Sequence, residues 1–239
     1  LLDPALRTHH ARPIDASVHL SDGALVIEFE DADLADHRAS DPLLCIHEMI
    51  DGLGDAPTLH AYCQMAAERV RTVAGYDRVM VYRFMEDDSG WVFAEAKRGD
   101  LSPFLDLHYP ASDIPKQARA LYVRSPLRLI TEIDYAPAPL HPALNPRSGK
   151  PLDMSHATLR DVSPIHREYL RNMGVDASMS ISILREGKLW GLVACHHQTP
   201  RRLPRHLRAI CELFGSIFSL QLEARLRAEQ FEASLSSRK

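Results

Sequence analysis

The chain has 239 residues, of which 45% are hydrophobic and 25% charged, with a formal net charge of −4 and a pI of about 6.4. This composition is ordinary for a globular protein with a buried core, and the absence of a basic surplus argues against nucleic acid as a partner. No apolar run approaches the roughly 20 residues of a membrane span, and the first residues do not resemble a signal peptide, so we expect a cytoplasmic protein with no membrane partner.

The first predicted element is an antiparallel hairpin over residues 16–30, where two alternating runs flank the turn Ser21-Asp22-Gly23. A lone hairpin is only marginally stable. We therefore expect it to belong to a sheet whose other strands lie upstream of this chain. The acidic stretch from Glu30 to Asp41 is predicted to be a linker.

Helices and strands of one mixed domain follow the hairpin. Helical spacing of apolar residues predicts helices over 43–53 and 57–73, with Asp55 as the cap of the second helix. Residues 115–124 fit a third, short helix. Alternating apolar residues predict four strands, over 78–84, 91–97, 179–184 and 189–196.

Apolar residues at a 4-3 spacing from Leu203 to Leu235 predict a long helix at the C-terminal end of the chain. At ~1.5 Å per residue this helix is longer than one domain needs. Its distal half is therefore expected to pack on another chain or to lead into another domain.

The segment from 134 to 164 differs from its neighbours in composition, because it contains six of the sixteen prolines and its apolar residues follow no regular period. Proline removes a backbone donor and opposes regular pairing. A loop this long inside a domain is usually functional or disordered, and its leucines argue against disorder.

Four cysteines, Cys45, Cys63, Cys195 and Cys211, fit neither a zinc site nor a disulfide framework, and we expect reduced core residues. Cys195 and His196 are neighbours in a strand and should point to opposite faces, which argues against a thiol–imidazole pair. No metal-binding motif and no glycine-rich phosphate loop is present.

A set of polar residues in apolar surroundings suggests a ligand site. Its members are Tyr82, Tyr109, Asp113, Arg128, Arg160, Ser163, His166, Ser178, Ser180 and His196. Arginine binds carboxylates as a fork, so the set suits a large, flat, mainly apolar ligand that carries carboxylates. Taken singly, each of these residues is more often a surface charge or a structural side chain.

The hexapeptide 110–115, Pro-Ala-Ser-Asp-Ile-Pro, resembles the signature of the phytochrome GAF domain. Further stretches similar to that family are 77–84, 117–122, 159–166, 169–174 and 189–197. The resemblance to bacterial phytochromes implies an α+β fold, a GAF domain with a central antiparallel sheet flanked by helices over 43–225. It also implies the end of a PAS domain over 1–34, a linker over 35–42, and a helical extension toward a PHY domain over 226–239.

The same resemblance implies a bound linear tetrapyrrole, biliverdin IXα, and gives a role to each site residue. Arg128 and Arg160 would bind its propionates, assisted by Ser163, Ser178 and Ser180. His166 would lie near the pyrrole nitrogens, and Asp113, next to Ile114, would offer them its backbone carbonyl. His196 would bond the D-ring carbonyl, with Tyr82, Tyr109 and Tyr169 around that ring. No catalytic residue and no metal ligand is implied.

Covalent attachment of the bilin is not explained by the cysteines of this chain. Plant and cyanobacterial relatives attach it through a cysteine just before the pocket histidine, where this sequence has Ile165. Bacterial members use a cysteine near the N-terminus, which this chain does not contain. We expect the thiol upstream of this chain; non-covalent binding is the alternative.

The resemblance implies a red/far-red photoreceptor fragment, not an enzyme, that passes D-ring photoisomerisation to PHY and output domains. The output is expected to be a histidine kinase that signals to a response regulator, and the chain is expected to form a homodimer through its GAF helices and C-terminal helix. One alternative is a GAF domain that binds another ligand, such as a cyclic nucleotide, or only dimerises. The other is a bilin-converting enzyme.

Overall fold

A six-stranded, wholly antiparallel sheet forms the centre of the computed structural model, which describes residues 13–32 and 41–236, with side chains up to 231. The spatial order of the strands is β5-β4-β3-β8-β7-β6. Their bounds are β3 Arg78–Phe84, β4 Gly90–Lys97, β5 His108–Tyr109, β6 Leu127–Ile130, β7 Ala177–Arg185 and β8 Lys188–His197. Most of the predicted linker, residues 33–40, lies outside the described residues.

One face of this sheet is covered by three helices, α1 Pro42–Ile50, α2 Leu59–Ala74 and α5 Arg205–Ser236. The apolar faces of α2 and α5 pack on the strands, α1 packs on α2 and α5, and the largest side chains of this core are fully buried. Tyr62 stacks on Phe218 with ring centroids 4.5 Å apart, and its hydroxyl donates to the Phe218 carbonyl over 2.9 Å. A buried hydroxyl with a partner avoids the cost of an unmet hydrogen bond.

The other face carries α3 Lys116–Arg124 and α4 Pro164–Asn172. Residues 131–163, between β6 and α4, contain no helix or strand, as the proline pattern indicates. The predicted α+β class, with an antiparallel sheet flanked by helices, is confirmed. The long C-terminal helix is also present, and its proximal half packs on the sheet of its own domain.

The ends of α1 and α2 differ from the prediction. The Thr58 hydroxyl caps α2 by accepting from the Ala61 amide over 3.1 Å, so the assignment of Asp55 as its cap was wrong. Asp55 instead ends a single 3-10 turn, Leu53–Asp55. That turn follows Gly52 with φ of 64°, a left-handed conformation that separates it from α1.

The N-terminal hairpin, β1 Ile14–Ser21 and β2 Ala24–Asp31, forms a separate two-stranded sheet. Its apolar face is open: Val18, Leu20 and Phe29 are 57%, 75% and 59% exposed. Its polar face contacts the proline-rich loop, where the Leu159 amide donates to Glu28 over 2.7 Å. An exposed row of large apolar residues fits the expectation that further strands belong to this sheet.

Replacement of Gly191 by alanine is expected to destabilise the fold by about 3 kcal/mol, because a side chain there overpacks a sheet interior. A Cβ at Gly191 on β8 would lie 2.5 Å from the Tyr82 carbonyl oxygen on β3, and neither backbone can move freely. Urea unfolding measures the loss. Gly99→Ala is the matched control, since nothing lies within 4 Å of a Cβ there; equal stability of the two variants would contradict the prediction.

Candidate functional site

A cleft lies between the second face of the sheet and the helices α3 and α4. The pairing of the strands determines which side chains lie together on the floor of the cleft, because residues paired across neighbouring strands point to the same face of the sheet. One row across the sheet reads Met80, Ala194, Ser180, Arg128 from β3 to β6, and the adjacent row reads Arg78, His196, Ser178, Ile130. Polar side chains that are far apart in sequence are thus brought side by side.

The cleft contains about 740 Å³ of empty space, including the part that is open to solvent. Most of its surface is apolar, contributed by both the sheet and the two helices. It is therefore suited to a ligand with a large hydrophobic frame.

Ten of the twelve residues predicted from the sequence line this cleft. They are Tyr82, Tyr109, Asp113, Ile114, Arg128, His166, Tyr169, Ser178, Ser180 and His196. Arg160 lines an adjoining cavity with Thr158 and Val162 instead. Ser163 is exposed at the start of α4, where its side chain makes no capping bond.

Eight lining residues were missed by the sequence reasoning, and most of them are apolar. They are Met80, Val92, Tyr122, Ile130, Leu170, Met173, Leu192 and Ala194. The two-residue period of strands carries the missing signal, since Met80 shares the face of Tyr82, and Leu192 and Ala194 share that of His196. Only the pairing of strands shows that these faces adjoin.

Both cleft histidines are held uncharged. Burial, reinforced by the Arg128 guanidinium, lowers the pKa of His166 to about 4. Burial, reinforced by Arg78 and then His166, lowers the pKa of His196 to about 3. Near neutral pH each ring therefore offers one N–H donor and one lone pair, and the Nδ1 atom of His196 is buried without a hydrogen-bond partner.

Three tyrosines and Asp113 form the aromatic end of the cleft. Burial, then the neighbouring Asp113 carboxylate, raises the pKa of Tyr82 to about 12 and also raises the pKa of Tyr169. The rings of Tyr82 and Tyr109 lie 6.1 Å apart between centroids. All three phenols therefore stay protonated and can donate hydrogen bonds.

Arg119 fixes the turn that carries Asp113 and Ile114. Its guanidinium donates to the Ile114 carbonyl over 2.9 Å and to the Asp88 carboxylate over 2.8 Å, and it lies 4.4 Å from the centroid of the Phe84 ring. The turn between β3 and β4 is thereby tied to the turn before α3. This bond orients the backbone of the hexapeptide at the cleft.

The cationic end of the cleft lies at the opposite edge of the sheet. Arg128 on β6 makes no hydrogen bond or ion pair within the part of the chain that the structure describes. Arg160 donates to the carbonyls of Ser155 and Ala157 over 3.1 and 2.8 Å, while its Nη2 atom is buried without a partner. Burial and the charge of Arg128 lower the pKa of Arg160, so the two guanidiniums repel each other and would gain from an anion.

The cysteines lie away from this site. Cys63, Cys195 and Cys211 are buried in the core on the other face of the sheet, and Cys45 packs against the same core. Cys195 and the adjacent His196 do face opposite sides. Among the described residues there is no group of three or more side chains able to hold a metal, and no helix long and apolar enough to cross a membrane.

The fold and the cleft are those of a GAF domain, and the family model of that name matches residues 58–226. Comparison with solved structures shows which kind of GAF domain this chain resembles. The chain is 40% identical, with a TM-score of 0.84, to the chromophore-binding domain of a bacteriophytochrome from R. palustris, over 90% of this chain and 70% of that one. The chromophore-binding domain of Stigmatella aurantiaca bacteriophytochrome, as a Thr289His mutant in the Pr state, is 42% identical with a TM-score of 0.81, over 89% and 70%.

Curated sequences agree with this class. Cyanobacterial phytochrome B of Nostoc sp. is 45% identical over 91% of this chain, and a bacteriophytochrome of Pseudomonas aeruginosa is 53% identical over 65% of it. The chain belongs to the phytochrome family and corresponds to the chromophore-binding part of bacteriophytochromes. It spans 29% and 21% of the length of those two relatives.

Proposed function

We propose that the chain binds biliverdin IXα in this cleft and acts as the light-sensing part of a red/far-red photoreceptor. The observation that carries the proposal is the pairing, in one apolar cleft, of neutral imidazoles and phenols toward one edge with a guanidinium at the other edge that has no ion-pair partner among the described residues. A linear tetrapyrrole has the matching chemistry, with two carboxylates, four pyrrole nitrogens and two terminal carbonyls on an apolar frame.

The residues of the cleft fit such a ligand. Arg128 would hold a propionate, with the hydroxyls of Ser178 and Ser180 beside it on the paired strand. Arg160 has one buried donor without a partner, which a second carboxylate would satisfy, and Ser163 would have to turn inward to assist. His166 and the Asp113 backbone would face the pyrrole nitrogens, next to Ile114.

The aromatic end of the cleft would bind the D-ring, which is the ring that moves when the bilin isomerises. The bilin supplies light absorption and isomerises about one double bond. His196, with its neutral ring, would exchange a hydrogen bond with the D-ring carbonyl, while Tyr82, Tyr109 and Tyr169 enclose that ring. Such an exchange biases a neighbouring element only if the rest of the ligand stays fixed, which is the task of Arg128.

The proposal also divides the chain into domains. Residues 1–34 are the end of a PAS domain, 35–42 a linker, 43–225 the GAF domain, and 226–239 an extension toward a PHY domain. The open apolar face of the hairpin supports the first assignment. A downstream histidine kinase with its response regulator remains part of the proposal for the whole protein.

A homodimer is proposed through the outer surfaces of α1 and α5. Leu43 and Leu44 on α1 are exposed, as are Leu213 and Leu220 on α5. Those two α5 residues are seven apart and lie on one side of the helix, as a seam between two copies requires.

The position of the cysteines supports the proposal that no thiol of the described chain carries the bilin. Ile165, next to the cleft residue His166, is exposed and cannot form the bond. The attachment thiol is proposed to lie upstream, and without it the cleft holds its ligand non-covalently.

The test is an absorption spectrum of the purified chain mixed with biliverdin, followed by denaturation and zinc staining of the gel. We expect a sharpened far-red band, and loss of the pigment from the denatured protein. Absence of the band, with the chain folded by circular dichroism, would refute the photoreceptor proposal and leave a GAF domain for another ligand. Conversion of biliverdin to a released product would point to an enzyme instead.

A further inference from the structure

Arg78 is a buried charge that stands beside His196, and only His196 of the two lines the cleft. The two residues are direct partners across β3 and β8, so their side chains leave the same face of the sheet. Only 6% of Arg78 is exposed. Both residues also line the small cavity behind the cleft, next to Phe104 and Val175.

Three contacts fix the guanidinium of Arg78. It donates to Glu95 over 2.5 Å and to the Ser102 carbonyl over 2.7 Å, and it lies 3.6 Å from the centroid of the Phe104 ring. Glu95 in turn accepts from the backbone amides of Phe104 and Leu105 over 3.0 and 3.2 Å. The ion pair is thus held in one place, and a fixed charge acts on its neighbours without needing to reorganise.

Among the described residues, the other groups around His196 do not offset this charge directly. Ser178 pairs with it on β7, and the neutral ring of His166 approaches from α4. In the small cavity behind it, the Asp77 carboxylate is already taken by Arg98 at 2.6 Å and by His197 at 3.0 Å. The acid nearest to Arg78 is Glu95, which lies on β4, one strand farther from His196.

We propose that the buried Arg78–Glu95 pair is a positioning device that acts together with burial to keep the His196 ring uncharged and so fixes the hydrogen bond it offers to the ligand. This inference rests on the proposed function for the identity of that ligand. Arg78 touches no ligand itself and acts through His196. Glu95 prevents the arginine from being an unpaired buried charge, which would be costly.

The tautomer of His196 follows from the same environment. Its Nδ1 atom is buried without a partner, and a lone pair left unsatisfied is tolerated better than an unsatisfied N–H. The proton therefore sits on Nε2. In this form the ring donates from Nε2, and a positive charge beside it opposes a second proton.

Nitrogen-15 NMR of the histidine rings in the ligand-free chain tests the inference, since it reports both charge and tautomer. His196→Gln assigns the signal. In the chain with its native residues we expect His196 to stay neutral, as the Nε2–H tautomer, down to pH 4. In Arg78→Met the midpoint of protonation should rise by about one pH unit or more, because a like charge has been removed. Arg78→Lys keeps the charge and should restore the low midpoint.

Two further variants make the result decisive. Arg83→Met removes an arginine from the same strand but from the opposite face, near Trp190, and should leave His196 unchanged. Arg78→Met combined with Glu95→Gln removes both charges, so it avoids an unpaired buried acid if the single variant unfolds. A His196 midpoint unchanged in a folded Arg78→Met protein or in the double variant would overturn the inference.

The two proposals fail separately. If the native chain does not bind biliverdin, the photoreceptor proposal falls, while the titration of His196 in the ligand-free chain still measures the effect of Arg78. If biliverdin binds but the midpoint does not move, only the role of the Arg78–Glu95 pair is lost.

Discussion

Arg128→Ala is expected to weaken biliverdin binding by about 10- to 100-fold, the largest loss of affinity from a single change in the cleft. A hydrogen bond to a charged group contributes about 1.5–3 kcal/mol, and each 1.4 kcal/mol is tenfold in affinity. Arg128 can give its full contribution, since no ion pair with a described residue competes for it. Titration of the ligand-free chain with biliverdin, followed by absorption, measures the change.

Arg124→Ala is the matched control for this prediction. Arg124 is the last residue of α3, four positions before Arg128, and it is exposed in a polar cavity outside the cleft. Both variants should keep the urea midpoint of the native chain, because neither arginine supports the core. Equal affinity of the two variants for biliverdin would remove Arg128 from the propionate site.

Strands β3, β4, β7 and β8 and helices α1, α2, α3 and α5 were predictable because their signals are local, whereas β6 and α4 were not predicted. Alternation in 78–84 and 189–196 and the 4-3 spacing after Leu203 each fall within one element, and the structure has those elements. The cap of α2 was missed because Asp55 and Thr58 are both good capping residues, and the choice depends on how Gly52 turns the chain. The two-residue strand β5 was missed because it exists only by pairing with Gly90 and Trp91.

The site was predictable from the motifs that resemble the family more than from the chemical properties of its individual residues. The hexapeptide and its companion stretches pointed to ten residues that the fold brings to one cleft. The apolar lining and the role of Arg78 were not predictable, because they depend on the pairing of β3 with β8, two strands that are far apart in sequence. Arg160 and Ser163 lie in or beside the proline-rich loop, whose path follows contacts with the hairpin, such as that of Leu159 with Glu28, and not a local pattern.

The ligand-free chain is expected to lose stability steeply as the pH falls from about 6.5 toward 4. In the unfolded state both cleft histidines bind a proton near their ordinary pKa of 6.5, whereas in the folded state the pKa is about 4 for His166 and about 3 for His196. Between these values unfolding takes up protons, so stability is full above pH 6.5 and declines below it. Each histidine contributes a slope of about 1.4 kcal/mol per pH unit.

Urea unfolding at pH 7.5, 6.5, 5.5 and 4.5 measures how the free energy of unfolding depends on pH. Single histidine variants show how much of that dependence each ring contributes. His166→Gln and His196→Gln should each flatten the dependence by about 1.4 kcal/mol per pH unit, because glutamine takes up no proton in either state. His47→Gln, on the exposed side of α1, should leave it unchanged. The carboxylates contribute equally to every variant and cancel in the difference. An unaltered slope in both cleft variants would mean that these rings take up protons at the same pH in the folded and the unfolded chain, which would contradict the lowered pKa of His166 and of His196.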